Sequence, residues 1–326
     1  VPAEQYKYKA SIQMTNKLAL VFPGQGSQSL GMLAELYAEF PLVRDTFAEA
    51  SEALGYDLWA LVANGPEEAL NETFRTQPAL LTASVAVWRL WQQQGGQTPA
   101  YLAGHSLGEY SALVCAGVLS LADAVKLVQN RGHYMQTAVP AGTGAMQAII
   151  GLDDALIAKA CEEAAQGEVV SPVNFNSPGQ VVIAGNKAAV ERAGELCKTY
   201  GAKRALPLPV SVPSHCALMK PAAEKLAADL AALSFHTPVI PVLNNVDVAI
   251  ANDAAAIKDA LVRQLFSPVR WTESIEWLAA QGVTEVVELG AGKVLAGLIK
   301  RIDKNLLTTS VNDVASLKAA LNPAAE

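Results

Sequence analysis

The chain of 326 residues is 51% hydrophobic and 17% charged, a balance that supports a folded core and excludes an intrinsically disordered chain. A formal net charge of −7 argues against a nucleic-acid partner, whose phosphates demand a basic surface, so an anionic ligand has to be held by a local cluster of cations. The longest apolar runs, such as residues 79–88, are interrupted by Thr82 and Ser84 and end at Arg89, which excludes a membrane-spanning helix.

Residues 1–13 lack the apolar stretch and small-residue cleavage site of a signal peptide; they read as a tail or expression remnant, with Met14 as the native start. Leu18-Ala19-Leu20-Val21-Phe22 reads as a buried strand, followed by a glycine-rich turn over residues 23–28 and helical stretches through Leu70. Residues 77–94 carry helix-length apolar patterning, and Ala100-Tyr101-Leu102-Ala103 forms a short strand. Gly104-His105-Ser106-Leu107-Gly108 follows it directly, and Glu109 to Ala116 continues as a helix with small residues on one face. A further helix starts at Ser120, with Ser120 as N-cap and Asp123 at N3, and runs to about Thr137.

From residue 139 to 209 the rhythm changes to strand (145–151), helix (153–165), strand (169–175), strand (181–185), helix (187–200) and strand (202–208), the βαββαβ order of a ferredoxin-like unit. Pro140-Ala141-Gly142 and Pro207-Leu208-Pro209 are its predicted hinges. A helix over 221–232, a strand over 239–243, helices over 254–266 and 272–281 and a strand over 284–289 then resume the first rhythm. The expected architecture is therefore α/β: a larger unit with a parallel sheet, from residues 14–138 and 210–322, and a smaller inserted unit from 139–209. The four cysteines, Cys115, Cys161, Cys197 and Cys216, are widely spaced without a Cys-x-x-Cys pair, which predicts reduced thiols and a cytoplasmic protein.

Gly-x-Ser-x-Gly between a strand and a helix is the pattern of a nucleophile elbow, in which a strained turn exposes the serine hydroxyl to a base and to backbone N–H donors. The glycine-rich segments Gly24-Gln25-Gly26-Ser27 and Gly290-Ala291-Gly292-Lys293 lack the third glycine of a dinucleotide fingerprint and the Ser/Thr of a P-loop. The first reads instead as a loop at the carboxyl end of a strand, where backbone N–H groups converge on a ligand.

Four histidines are candidates for the base. His105 is inside the elbow and leaves the chain on the other side from its neighbour, His133 lies on a helix and His236 in a polar turn. His215, in the irregular segment after the insert, is the one a loop can carry to Ser106; a loop histidine without a role is the alternative. Asp123, Asp153 and Glu168 lie between Ser106 and His215 but in helices or in the insert, so no complete Ser-acid-His triad is expected. Arg131 is one of few cations in its helix. A guanidinium grips a carboxylate with two parallel hydrogen bonds, although a helical arginine is ordinarily solvated.

Taken together, Phe22-Pro23-Gly24-Gln25-Gly26-Ser27-Gln28, the segment from Gly104 to Tyr110, Arg131-Gly132, Asn174-Phe175-Asn176-Ser177-Pro178 and Pro213-Ser214-His215 resemble the malonyl-CoA:acyl carrier protein transacylase family of bacterial fatty acid synthesis, from Met14 to about Leu321. The resemblance implies an α/β-hydrolase-like large domain, Ser106 as nucleophile and His215 as base. It further implies an oxyanion hole from the backbone N–H groups of Gln25 and Leu107, and Arg131 on the malonyl carboxylate. The backbone carbonyl of Gln264 would orient the histidine in place of a triad acid. It implies no metal and no cofactor, with malonyl-CoA and holo-acyl carrier protein as substrates and partners, and a monomer. Two residues depart from the family pattern: Ser214 stands where many members carry phenylalanine, and Ala291 where many carry proline. An acidic carrier would dock on basic residues, for which Lys203, Arg204, Lys300, Arg301 and Lys304 are candidates. A serine esterase or thioesterase shares the elbow and histidine but has no use for Arg131, and a binding protein that keeps the fold is the remaining alternative.

Overall fold

The computed structural model describes residues 17–210 and 212–322; the expected tail at 1–13, Met14 and Ser211 lie outside the described residues. Strand β1 (Leu18–Phe22) is buried along its whole length, the state of a central parallel strand covered on both faces. Helices α1 (Ala34–Glu39), α2 (Pro41–Leu54), α3 (Leu58–Asn64), α4 (Glu67–Leu70) and the long α5 (Thr73–Gln93) follow, then β2 (Tyr101–Gly104), α6 (Leu107–Cys115) and α7 (Leu121–Thr137). Ser120 caps α7 by accepting the Asp123 N–H, as its sequence predicts.

The chain then builds β3 (Gly144–Ile150), α8 (Asp154–Ala165), β4 (Val170–Ser177), β5 (Gln180–Asn186), α9 (Lys187–Thr199) and β6 (Arg204–Pro207). These strands pair in the order β4-β5-β3-β6, antiparallel throughout, which is the ferredoxin-like arrangement. One face of this sheet packs Ile149, Val181 and Ile183 against Ile157, Cys161 and Val190 of its two helices. The other face, with Met146, Val173 and Val182, closes on Cys216, so the insert backs the segment that carries His215.

After a 3-10 turn (Ala217–Met219) come α10 (Lys220–Ala231), β7 (Val242–Leu243), α11 (Ala254–Gln264), α12 (Trp271–Ala280), β8 (Glu285–Leu289), α13 (Val294–Ile302), β9 (Leu307–Val311) and α14 (Val314–Leu321). The larger sheet has the order β7-β2-β1-β8-β9 and every pair is parallel. A parallel bridge between Asn174 and Val269 stitches the small sheet to the segment that joins α11 to α12.

Three segments differ from their sequence patterns. Helix α5 begins at Thr73, four residues before the expected start, because Gly132 of α7 leaves room there: a Cβ on Gly132 would lie 2.5 Å from the Phe74 Cα. The strand expected over 239–243 shrinks to Val242–Leu243, since Pro238 and Pro241 have no N–H to donate and Val239 is 77% exposed. The run α13-β9-α14 has no counterpart in the sequence reading; β9 is an edge strand whose Leu307 is exposed while Thr308 is buried, the reverse of an amphipathic pattern.

The elbow glycines are steric requirements. A Cβ on Gly104 would sit 1.9 Å from the Gly108 carbonyl carbon, and one on Gly108 would sit 2.1 Å from the Phe22 carbonyl oxygen. Gly108→Ala is therefore expected to destabilise the protein by about 1–3 kcal/mol or more, read as a lower denaturant midpoint with an unchanged m-value.

Candidate active site

Loops that leave neighbouring parallel strands meet at the carboxyl edge of the sheet. β1 and β2 are neighbours, so the 23–28 loop faces the elbow; β7 lies on the other side of β2 and brings Asn244 and Asn245 beside it. Ser106 sits between β2 and α6 with φ 53° and ψ −110°, in a region that favours glycine. Its hydroxyl donates to His215 Nε2 at 2.7 Å, across 109 residues of sequence.

His215 is 3% exposed, and its own N–H donates to the Leu265 carbonyl at 3.1 Å. Its Nδ1 lies 2.8 Å from the Gln264 carbonyl oxygen. A carbonyl only accepts, so Nδ1 carries the proton and the Nε2 lone pair faces the serine. Gln264 is the last residue of α11, and the final carbonyls of a helix have no partner within it. The histidine uses one of them, at the negative end of the helix dipole, where a transient imidazolium is favoured.

Arg131 overturns the ordinary expectation for a helical arginine, being 1% exposed. Its Nη1 donates to Gln77 Oε1 at 2.8 Å, and its Nη2 donates to Gln264 Oε1 at 3.1 Å and to Ser106 Oγ at 3.2 Å. The guanidinium also stands over the Tyr110 ring. Its Nε has no hydrogen-bond partner and no carboxylate pairs with it among the described residues. A buried cation held by neutral amides beside a hydroxyl is a candidate site for an anionic group, because burial without a counter-charge is costly.

Burial first, and then the charge of Arg131, push the His215 imidazole down to about 3. A depressed histidine is neutral at working pH and ready to accept a proton. Glu109, pushed up to about 7 chiefly by burial, accepts the Asn245 N–H. The free-enzyme rate, kcat/KM, is thus expected to stay level as pH falls through 6.5, and an inflection at that pH would show an ordinary imidazole. The stability sign is the same: the unfolded histidine takes its proton first, so this contribution is present above 6.5 and lost as pH falls toward 3.

Gln25 and Leu107 line the same cleft of about 460 Å³ as Ser106, Arg131, Ser214 and His215. Leu107 is the first residue of α6, so its N–H has no carbonyl to bond within the helix. Of the other histidines, His105 pairs with Asn176 Oδ1 at 2.7 Å, His133 stacks on Phe74, and His236 is exposed. Lys203, Arg204, Lys300, Arg301 and Lys304 are all exposed and none lines the cleft. Lys300, Arg301 and Lys304 precede β9, which puts them at the opposite edge of the sheet from Ser106. Gln77, Asn245 and the Gln264 side chain join the site without having been singled out from the sequence, and Asn176, which the sequence offered only as part of a family motif, joins it through His105. Gln77 carried a signal, as a polar residue opening an apolar helical run, and Asn245 followed a predicted strand; neither position alone says which pocket it serves. Among the described residues no group of three or more His, Cys, Asp or Glu is placed to hold a metal ion, and no helix is long and apolar enough to cross a membrane.

A strained serine against a neutral imidazole is an arrangement that can attack carboxylic esters and thioesters, so fold and site suit an acyl-transfer enzyme. Residues 19–318 match the acyl transferase domain family. The malonyl CoA-acyl carrier protein transacylase of Salmonella typhimurium is 70% identical over 94% of this chain and 99% of its own length, and that of Bacillus subtilis is 48% identical over 94% and 96%. Among solved structures, an acyl carrier protein S-malonyltransferase from Vibrio cholerae superposes with a TM-score of 0.92 at 71% identity, covering 93% of this chain and 99% of that one. A malonyl-transacylase in complex with its type II PKS acyl-carrier protein has a TM-score of 0.93 at 65% identity, covering 94% and 99%. The chain belongs to the malonyl CoA-acyl carrier protein transacylase family of acyl transferases.

Proposed function

We propose that this chain moves a malonyl group from malonyl-CoA to the phosphopantetheine thiol of an acyl carrier protein through an ester on Ser106, supplying fatty acid elongation in the cytoplasm. The observation that carries the reading is one hydroxyl, Ser106 Oγ, lying 2.7 Å from the His215 base and 3.2 Å from the buried Arg131 cation. His215 Nε2 takes the serine proton as Oγ attacks the thioester carbonyl. The oxyanion is held by the N–H groups of Gln25 and Leu107, each such donor being worth about 3 kcal/mol. CoA leaves as the thiol with the proton returned by His215. The carrier thiol then gives its proton to the same nitrogen and attacks the ester, and serine recovers its hydrogen. Arg131 holds the free carboxylate of the malonyl group throughout.

Thioester, ester and thioester are close in energy, so the cycle as read needs no cofactor. All of its groups come from one polypeptide, which supports a monomer as the working unit. The core within residues 139–209, separate from the large core built by the residues outside them, supports reading those residues as an inserted subdomain within 14–138 and 210–322. Incubation with malonyl-CoA, followed by intact mass and peptide mapping, tests the reading: one malonyl group on Ser106 is expected, discharged by carrier thiol. Rapid release of free malonate without a carrier would instead point to a thioesterase.

A further inference from the structure

A non-glycine residue keeps the Ser106 backbone conformation only where its surroundings over-determine it, and Asn245 is the side chain that does so. Its Nδ2 donates to the Gly104 carbonyl at 2.7 Å, before the turn, and its Oδ1 accepts the Ser106 N–H at 2.8 Å, within it. The same Oδ1 accepts from Gln264 Nε2 at 3.3 Å, and that Nε2 also donates to the Ser106 carbonyl at 3.0 Å. The backbone N–H of Asn245 donates to Glu109 Oε1 at 2.7 Å, so the helix after the elbow holds the residue that holds the elbow. Asn245 is 1% exposed and is not among the residues lining the cleft.

The partners fix the orientation of the amide, with a carbonyl on one side and N–H groups on the other. A carboxylate of the same shape would set an acceptor against the Gly104 carbonyl, and alanine would leave buried donors and acceptors unpaired. Gln264 is also the residue whose main-chain carbonyl orients His215. One amide therefore ties the backbone of the serine to the element that aims its base.

We propose that Asn245 is a positioning residue for acyl transfer, acting through the Ser106 backbone and the Gln264 side chain without touching Oγ or substrate. The proposal rests on the Ser106-ester reading above. Displacement of a reacting atom by about 1 Å costs on the order of 100-fold in rate, and that is the loss expected for Asn245→Ala.

The test is rapid mixing of the folded protein with malonyl-CoA, reading both the rate constant and the amplitude of ester formation on Ser106. Asn245→Ala is expected to keep the full amplitude while its rate constant falls about 100-fold. Malonyl-CoA affinity, compared in a Ser106→Ala background with and without the second change, should be nearly unchanged. Asn245→Asp should be as slow as alanine, and Glu109→Gln, which keeps an oxygen for the Asn245 N–H, should rescue what Glu109→Ala loses. The Asp and Glu109 variants carry the test if the alanine variant does not fold. A wild-type rate constant in Asn245→Ala or Asn245→Asp, whether at full amplitude or at the reduced amplitude that an unfolded fraction dictates, overturns the role of Asn245. Failure of the unaltered protein to form any ester overturns the transfer reading itself, and the role of Asn245 with it.

Discussion

Replacing Ser106 by alanine is expected to lower malonyl transfer to the carrier thiol by roughly 10⁴- to 10⁶-fold, the range seen when a serine nucleophile is removed from a site whose other groups remain. Binding of malonyl-CoA should change little, because Arg131 keeps its bonds to Gln77 and Gln264 and the oxyanion donors are backbone groups. The variant should take up no malonyl group by intact mass. A Ser106→Ala protein that still transferred malonate at a substantial fraction of the normal rate would remove the covalent route and leave the fold with a binding role. The size of the effect follows from the lack of any substitute: among the described residues His215 Nε2 bonds only to the Ser106 hydroxyl.

Arg131→Ala is expected to cost malonyl-CoA about 2–5 kcal/mol in kcat/KM, or roughly 30- to several-thousand-fold, as for truncating one partner of a buried, hydrogen-bonded charge pair. Acetyl-CoA has no free carboxylate and should lose much less, so relative use of acetyl-CoA rises. Lysine should restore only part of the loss, since a point charge lacks the fork that meets both carboxylate oxygens. The change also removes a positive charge that depresses the His215 imidazole, so the acidic limb of the kcat/KM profile should move to higher pH. Steady-state kinetics with the two thioesters across pH checks both effects, and equal losses for malonyl and acetyl substrates would sink the carboxylate clamp.

Much of this site is visible before folding is considered. The elbow follows from glycine spacing between a strand and a helix, and the structure shows the steric cause in the close approaches at Gly104 and Gly108. The ferredoxin-like order of the insert follows from the periodicity of residues 139–209 and reappears as the β4-β5-β3-β6 sheet. From the residues themselves Arg131 was legible only as one of few cations in its helix, and its role came from the family resemblance, because nothing in a helical pattern says which face a neighbouring loop will cover. Gln77 and Asn245 were less visible still: a single amide in an apolar segment is common, and its meaning depends on partners 54 and 139 residues away.

By itself the sequence determined the alternation of strands and helices, the turn that strains the serine, and the small set of residues able to act as base or anion holder. These are local properties, set by hydrophobic period, glycine sterics and side-chain chemistry within a few residues. The family resemblance implied His215 and the Gln264 carbonyl as partners of Ser106, but only the tertiary structure brings them to 2.7 Å and 2.8 Å and buries a guanidinium against the hydroxyl with no carboxylate paired to it among the described residues. Those outcomes depend on strand order in the larger sheet and on how the inserted sheet backs the histidine segment. Both are fixed by contacts between residues far apart in the chain, which no local pattern records.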